Sequence, residues 1–152
     1  MKIQYCSDLH LEFKDNAKWL SDNPIIPVGD ILVVAGDTYH LGTDFKDHVF
    51  FDEVSEKFNE IYLIPGNHEF YSGEDAILCF EQDYSYRIRE NVYLVNNTCV
   101  TQGNMNLIFS TMWSYIFRYP NYVKGLINDF KAIQLHGEKL SLEGFNRMFE
   151  YS

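Results

Sequence analysis

The chain has 152 residues, enough to bury a real core, and its 46% hydrophobic and 16% aromatic content excludes a disordered chain. No apolar run approaches the roughly 18–20 residues of a membrane span, and Met1-Lys2-Ile3 leads into a strand rather than a signal region, so a cytoplasmic protein is expected. A net charge of −10 repels polyphosphate and argues against a nucleic-acid backbone as partner.

Lys2 to Cys6 alternates with Ile3 and Tyr5 on one face and reads as a first strand. Leu11 to Pro27 reads as irregular, with Trp19 and Leu20 as packing residues and with Pro24 and Pro27 excluding a long helix. Ile31-Leu32-Val33-Val34-Ala35 is a continuous apolar run suited to a strand covered on both faces. Of its two flanking Gly-Asp pairs, the second lies at the carboxyl end, where ligands gather in α/β sheets. Asp37 is therefore the functional candidate and Asp30 a turn residue.

Thr43 or Asp44 is expected to cap a helix carrying Phe45, Val49, Phe50, Val54 and Phe58, with His48 a surface or boundary residue within it. His40 reads as a solvated loop histidine. Ile61 to Ile64 is the third strand, and Ile77, Phe80, Tyr84 and Ile88 mark a second amphipathic helix. Val92 to Val95 and Met105 to Phe109 are further strands, separated by a polar turn region from Asn96 to Asn104. The aromatic stretch from Thr111 to Tyr122 reads as core and sheet-covering contacts, with lining of a substrate pocket as the alternative, and His136 receives no role. Ser141 caps a final helix with Leu142, Phe145, Met148 and Phe149. Cys6, Cys79 and Cys99 form no CxxC pair and are read as core residues.

Three polar clusters follow predicted strands at one βαβ spacing: Ser7-Asp8-Leu9-His10, Ala35-Gly36-Asp37 and Pro65-Gly66-Asn67-His68-Glu69. Parallel pairing with right-handed crossovers brings them to one sheet edge. Asp8 and His10 can present an oxygen and a nitrogen to one ion, Asp37 can bridge to a second, and the Asn67 amide oxygen can bind that second ion. Such mixed donors suit Mn, Fe, Zn, Co or Ni. Two ions about 3.5–4 Å apart would hold a phosphoryl oxygen and lower the pKa of a water. His68 is better placed to give a proton or hydrogen bond to the phosphate or its leaving oxygen.

On these three motifs the sequence resembles the calcineurin-like metallophosphoesterases. The resemblance implies a four-layer αββα sandwich and hydrolysis of a phosphomonoester or phosphodiester with two divalent ions. It implies Asp8 and His10 on the first metal, Asp37 bridging, Asn67 on the second, and His68 acting on the phosphate. The family continues with a further histidine and a Gly-His-x-His motif, neither of which follows Glu69 here. Residues 1–152 are accordingly expected to form a single truncated domain, with an incomplete sandwich and partial or absent metal occupancy. A small phosphoester is the expected substrate. The alternative is a non-catalytic remnant or interaction module on the same fold, self-associating or pairing with a missing C-terminal half.

Overall fold

The apolar runs spaced one βαβ unit apart pair in parallel. In the computed structural model, which describes residues 1–42 and 44–152, strands β1 (Ile3–Cys6), β2 (Ile31–Ala35), β3 (Glu60–Ile64) and β5 (Val92–Asn96) run parallel. A further strand, β4 (Tyr84–Arg89), closes the edge antiparallel to β5, giving the order β1-β2-β3-β5-β4.

Side chains along these strands alternate between two apolar layers, as the pleat requires. Leu32, Val34, Ile61, Leu63, Val92 and Leu94 face helices α1 (Lys14–Asp22) and α2 (Val49–Ser55), which supply Leu20, Phe50, Phe51 and Val54. Ile31, Tyr62 and Val95 face the other way, onto Phe109 of a hairpin built from β6 (Thr98–Gln102) and β7 (Met105–Phe109). The layers are therefore helices, a mixed five-stranded sheet and a second, two-stranded sheet. The hairpin leaves the β1 end of this second face open, where Tyr5 is 80% exposed.

The remaining chain wraps one end of the sheet. Helices α3 (Pro120–Leu126), α4 (Asp129–Ala132) and α5 (Leu142–Tyr151), with the short pair β8 (Gln134–Leu135) and β9 (Glu138–Lys139), bury Phe130, Ile133, Leu140, Phe145 and Met148 against Phe70, Cys79 and Trp113. As expected, Ser141 Oγ caps α5, accepting from the Gly144 N–H at 3.0 Å. Among the described residues, no helix is long and apolar enough to cross a membrane.

Several local expectations are corrected. The segment read as irregular contains α1, because Pro24 and Pro27 both lie beyond its end and cannot interrupt it. Leu20 is its buried residue, whereas Trp19 is exposed. The helix expected from Phe45 to Phe58 is split: a 3-10 turn covers Phe45–Asp47, and α2 starts only after His48, whose Nδ1 accepts from the Phe50 N–H at 3.2 Å. Thr43, one proposed cap, lies outside the described residues; Asp44, the other, accepts from the Tyr39 hydroxyl at 2.9 Å instead.

The second amphipathic helix is a 3-10 turn (Ala76–Phe80) followed by β4. Tyr84, Tyr86 and Ile88 also fit a period of two, and pairing with β5 decides between the two readings. The polar region before Asn104 contains β6, whose Thr98 and Val100 suit a strand despite their polar neighbours. Of the cysteines only Cys79 is buried, its thiol pushed up to about 12 by burial; Cys6 is half-buried and Cys99 exposed.

Asn91 joins the helix layer to the sheet, its Nδ2 donating to the carbonyls of Ser55 at 2.9 Å and Phe58 at 2.8 Å just beyond α2. Asn91→Ala leaves both carbonyls without these partners. It is expected to lower stability by about 1–3 kcal/mol, read as a reduced midpoint in urea with an unchanged slope.

Candidate functional site

The loops at the carboxyl ends of β1, β2 and β3 are tied to one another by backbone hydrogen bonds. Asp8 N–H donates to the Gly36 carbonyl at 3.1 Å, His10 N–H to Asp37 at 2.9 Å and Leu11 N–H to Thr38 at 2.8 Å, so the first loop lies along the second. The third loop reaches the second through Glu69, which is 2% exposed. Its Oε1 accepts from Thr38 N–H at 2.7 Å, and its Oε2 from Asp37 N–H at 3.0 Å and Gly66 N–H at 2.7 Å. Burial pushes the Glu69 carboxyl up, against three N–H donors that favour the carboxylate.

This lacing holds the backbone in an unfavourable region. Asp8, His10 and Asp37 have φ of 55°, 47° and 53°, all left-handed. Residues in that region cost on the order of 1–3 kcal/mol each and persist where surroundings over-determine them, often at functional sites. Close approach of the loops also explains Gly66. A Cβ there would sit 2.2 Å from Asp37 Oδ1 and 2.8 Å from Asp37 N. His68 N–H donates to the same Asp37 oxygen at 3.1 Å.

The five residues singled out in the sequence fall into two adjoining groups. Asp8, Asp37 and Asn67 line a cleft of about 360 Å³ whose wall also includes Gly36, Gly66, Trp113 and Asp129 and contains no Lys or Arg. His10 and His68 stand beside it, with ring centroids 4.4 Å apart. His10 links the groups, its Nε2 lying 3.9 Å from Asp37 Oδ2. Donor atoms of Asp8, His10 and Asp37 all lie within 4.8 Å of one another. This oxygen–nitrogen donor set and the space kept open by Gly66 fit a divalent cation.

Two residues of this neighbourhood were missed in the sequence. Glu12 stands behind both histidines: its Oε1 is 3.1 Å from His10 Nδ1 and 3.0 Å from His68 Nδ1. His40 is more distant, with Nε2 at 4.0 Å from the same oxygen. Burial raises the Glu12 carboxyl, but its own backbone N–H and the hydrogen bonds from His10 and His68 prevail and hold it below the usual carboxylate range. The signal for Glu12 was available, since Asp8-x-His10-x-Glu12 continues one alternation.

Asp129 carried no such signal, being 62 residues from Asn67. Its Oδ1 accepts from Asn67 Nδ2 at 2.8 Å and from the Tyr71 hydroxyl at 2.5 Å. A carboxylate accepts only, so this contact turns the Asn67 amide nitrogen toward Asp129 and its oxygen away. Burial and the hydrogen bond to Asp129 push the Tyr71 hydroxyl up. The Tyr71 ring stacks on His68 at 4.4 Å.

The sequence model of the calcineurin-like phosphoesterase family matches residues 1–146. The chain belongs to the calcineurin-like phosphoesterase family. Among individual proteins, it is similar to uncharacterized protein L509 of Acanthamoeba polyphaga mimivirus, at 29% identity over 152 residues, covering 87% of this chain and 51% of the relative. The chain thus spans about half the length of the curated relative it matches. Among solved structures it is similar to the phosphopantetheinyl hydrolase PptH of Mycobacterium tuberculosis, with a TM-score of 0.60 at 14% identity, covering 98% of this chain and 60% of that one. At that identity the likeness establishes the fold, a calcineurin-like phosphoesterase arrangement of mixed sheet and flanking helices.

Gly66→Ala should push the Asp37 carboxylate off its position. Mn²⁺ affinity measured by isothermal titration calorimetry is expected to fall at least about 10-fold, while far-UV circular dichroism stays close to that of the parent.

Proposed function

We propose that this member of the calcineurin-like phosphoesterases is a metal-dependent hydrolase of a small phosphomonoester or phosphodiester. The observation that carries the reading is the convergence of the Asp8, His10 and Asp37 donor atoms within 4.8 Å of one another. The adjoining cleft adds support, being walled by Asp8, Asp37 and Asp129 without a Lys or Arg. Three carboxylates repel a phosphate dianion, so a phosphoester enters only with cations that reverse the local charge.

In this reading Asp8, His10 and Asp37 would hold a first divalent ion. Asp37 and the Asn67 amide oxygen would hold a second, less firmly for want of donors. Mn, Fe, Zn, Ni and Co suit this set of oxygen and nitrogen. When bound, such ions polarise a phosphoryl oxygen and lower the pKa of a water nucleophile. Asp37 would be the residue shared by both, and its Oδ1 is oriented by the His68 N–H. Asn67 offers its oxygen because Asp129 occupies its nitrogen. His68 has its Nδ1 engaged by Glu12, which leaves Nε2 as the ring atom free to act on the phosphoester, giving a proton to the leaving oxygen when both ring nitrogens are protonated. The cleft of about 360 Å³ suits a phosphoryl group with a small leaving group.

A non-catalytic interaction module is the second reading, favoured by apolar side chains left in solvent, Tyr5 on the sheet and Ile108 on the hairpin, each 80% exposed. Hydrolysis of p-nitrophenyl phosphate and its bis ester separates the two. The phosphoesterase reading predicts Mn²⁺-dependent turnover that is lost with a chelator and falls about 10²–10³-fold in Asp37→Ala. Equal rates in parent and variant, or no metal-dependent turnover by the folded protein, favour the module.

A further inference from the structure

Glu12 lies just outside the metal donors assigned above, and its placement is specific. Its side chain is 8% exposed, and a single oxygen, Oε1, lies at hydrogen-bond distance from the Nδ1 atoms of two different histidines, His10 and His68. The other oxygen, Oε2, is buried and has no hydrogen-bond partner among the described residues. Both short contacts thus converge on one atom, His10 coming from the same loop as Glu12 and His68 from a loop 56 residues away in sequence. An ionised carboxylate has no proton to give, so each contact requires the imidazole to donate. In a neutral ring that places the proton on Nδ1 and the lone pair on Nε2.

We propose that Glu12 is a positioning residue that locks His10 and His68 together in the Nδ1–H tautomer, leaving the Nε2 atoms of both rings to serve the phosphoesterase site. The inference rests on the roles given to those histidines above. For His10 the consequence is a free Nε2 lone pair on the side of Asp37, where a cation needs it. For His68 it is a ring whose only remaining exchangeable position is Nε2. One carboxylate thereby orients a metal donor and the Nε2 through which a doubly protonated His68 gives its proton, and the two rings meet edge to face at 4.4 Å. Carboxylate partners behind ligating histidines usually change metal affinity about 10–100-fold when removed.

Long-range ¹H–¹⁵N correlation of the imidazole rings in the metal-free full chain, at about pH 8.5 where ordinary histidines are neutral, reads the tautomers directly. His10→Gln and His68→Gln assign the signals. The parent is expected to show a proton-bearing Nδ1 and a lone-pair Nε2 at both rings. Glu12→Ala should lose this pattern at both, with Zn²⁺ affinity reduced about 10–100-fold. Glu12→Gln keeps an acceptor oxygen and should retain both tautomers, which preserves the test if Glu12→Ala fails to fold. An Nε2–H tautomer at either ring of the parent, a switch in Glu12→Gln, or unchanged rings in a folded Glu12→Ala would overturn the proposal. Absence of phosphoesterase activity would leave these signals untouched, so failure of the catalytic reading is distinguishable from failure of this one.

Discussion

The arrangement depends on the buried carboxylate of Glu69 and the three backbone N–H groups it gathers, from Asp37, Thr38 and Gly66. Hydrogen bonds to a charged acceptor contribute about 1.5–3 kcal/mol each. That is the scale needed to offset the left-handed conformations of Asp8, His10 and Asp37. The loop after β2 is the hub. It accepts three backbone bonds from the first loop and donates two N–H groups to the Glu69 side chain of the third. The sheet brings the loops to one edge, and the carboxylate fixes them at a separation of ångströms.

Around that brace the polar groups sort by direction. Asp8 and Asp37 face the cleft, and Glu12 stands behind the imidazoles. Asp129, arriving from α4, takes the nitrogen of Asn67 and the hydroxyl of Tyr71. The cluster of Phe130, Phe145 and Trp113 packs the C-terminal segments under the same cleft. The C-terminal part of the chain therefore touches the proposed site through Asp129 while contributing none of the sequence motifs.

Much of this was legible in the residues. Alternation in Lys2 to Cys6 gave β1, and continuous apolar runs at βαβ spacing gave β2 and β3, because a strand buried on both faces cannot hide its composition. The three polar clusters were found because each follows such a run. Tertiary context decided the rest. Tyr84 to Ile88 fits either period until β5 pairs with it, and His48 breaks a continuous apolar stripe by capping its second half. Glu69 looked like the tail of a motif, although its burial makes it the brace. Asp129 was invisible because no local pattern reports a contact made across 62 residues.

The central claim is that these loops assemble one cation site on Asp37. Crystals soaked in Mn²⁺ and measured at a wavelength giving strong manganese anomalous scattering test it most directly. The account predicts an anomalous peak coordinated by Asp8, His10 and Asp37. A weaker peak is expected between Asp37 and the Asn67 oxygen. Density showing these side chains placed as described, with no peak among them or with manganese bound only elsewhere, would contradict it.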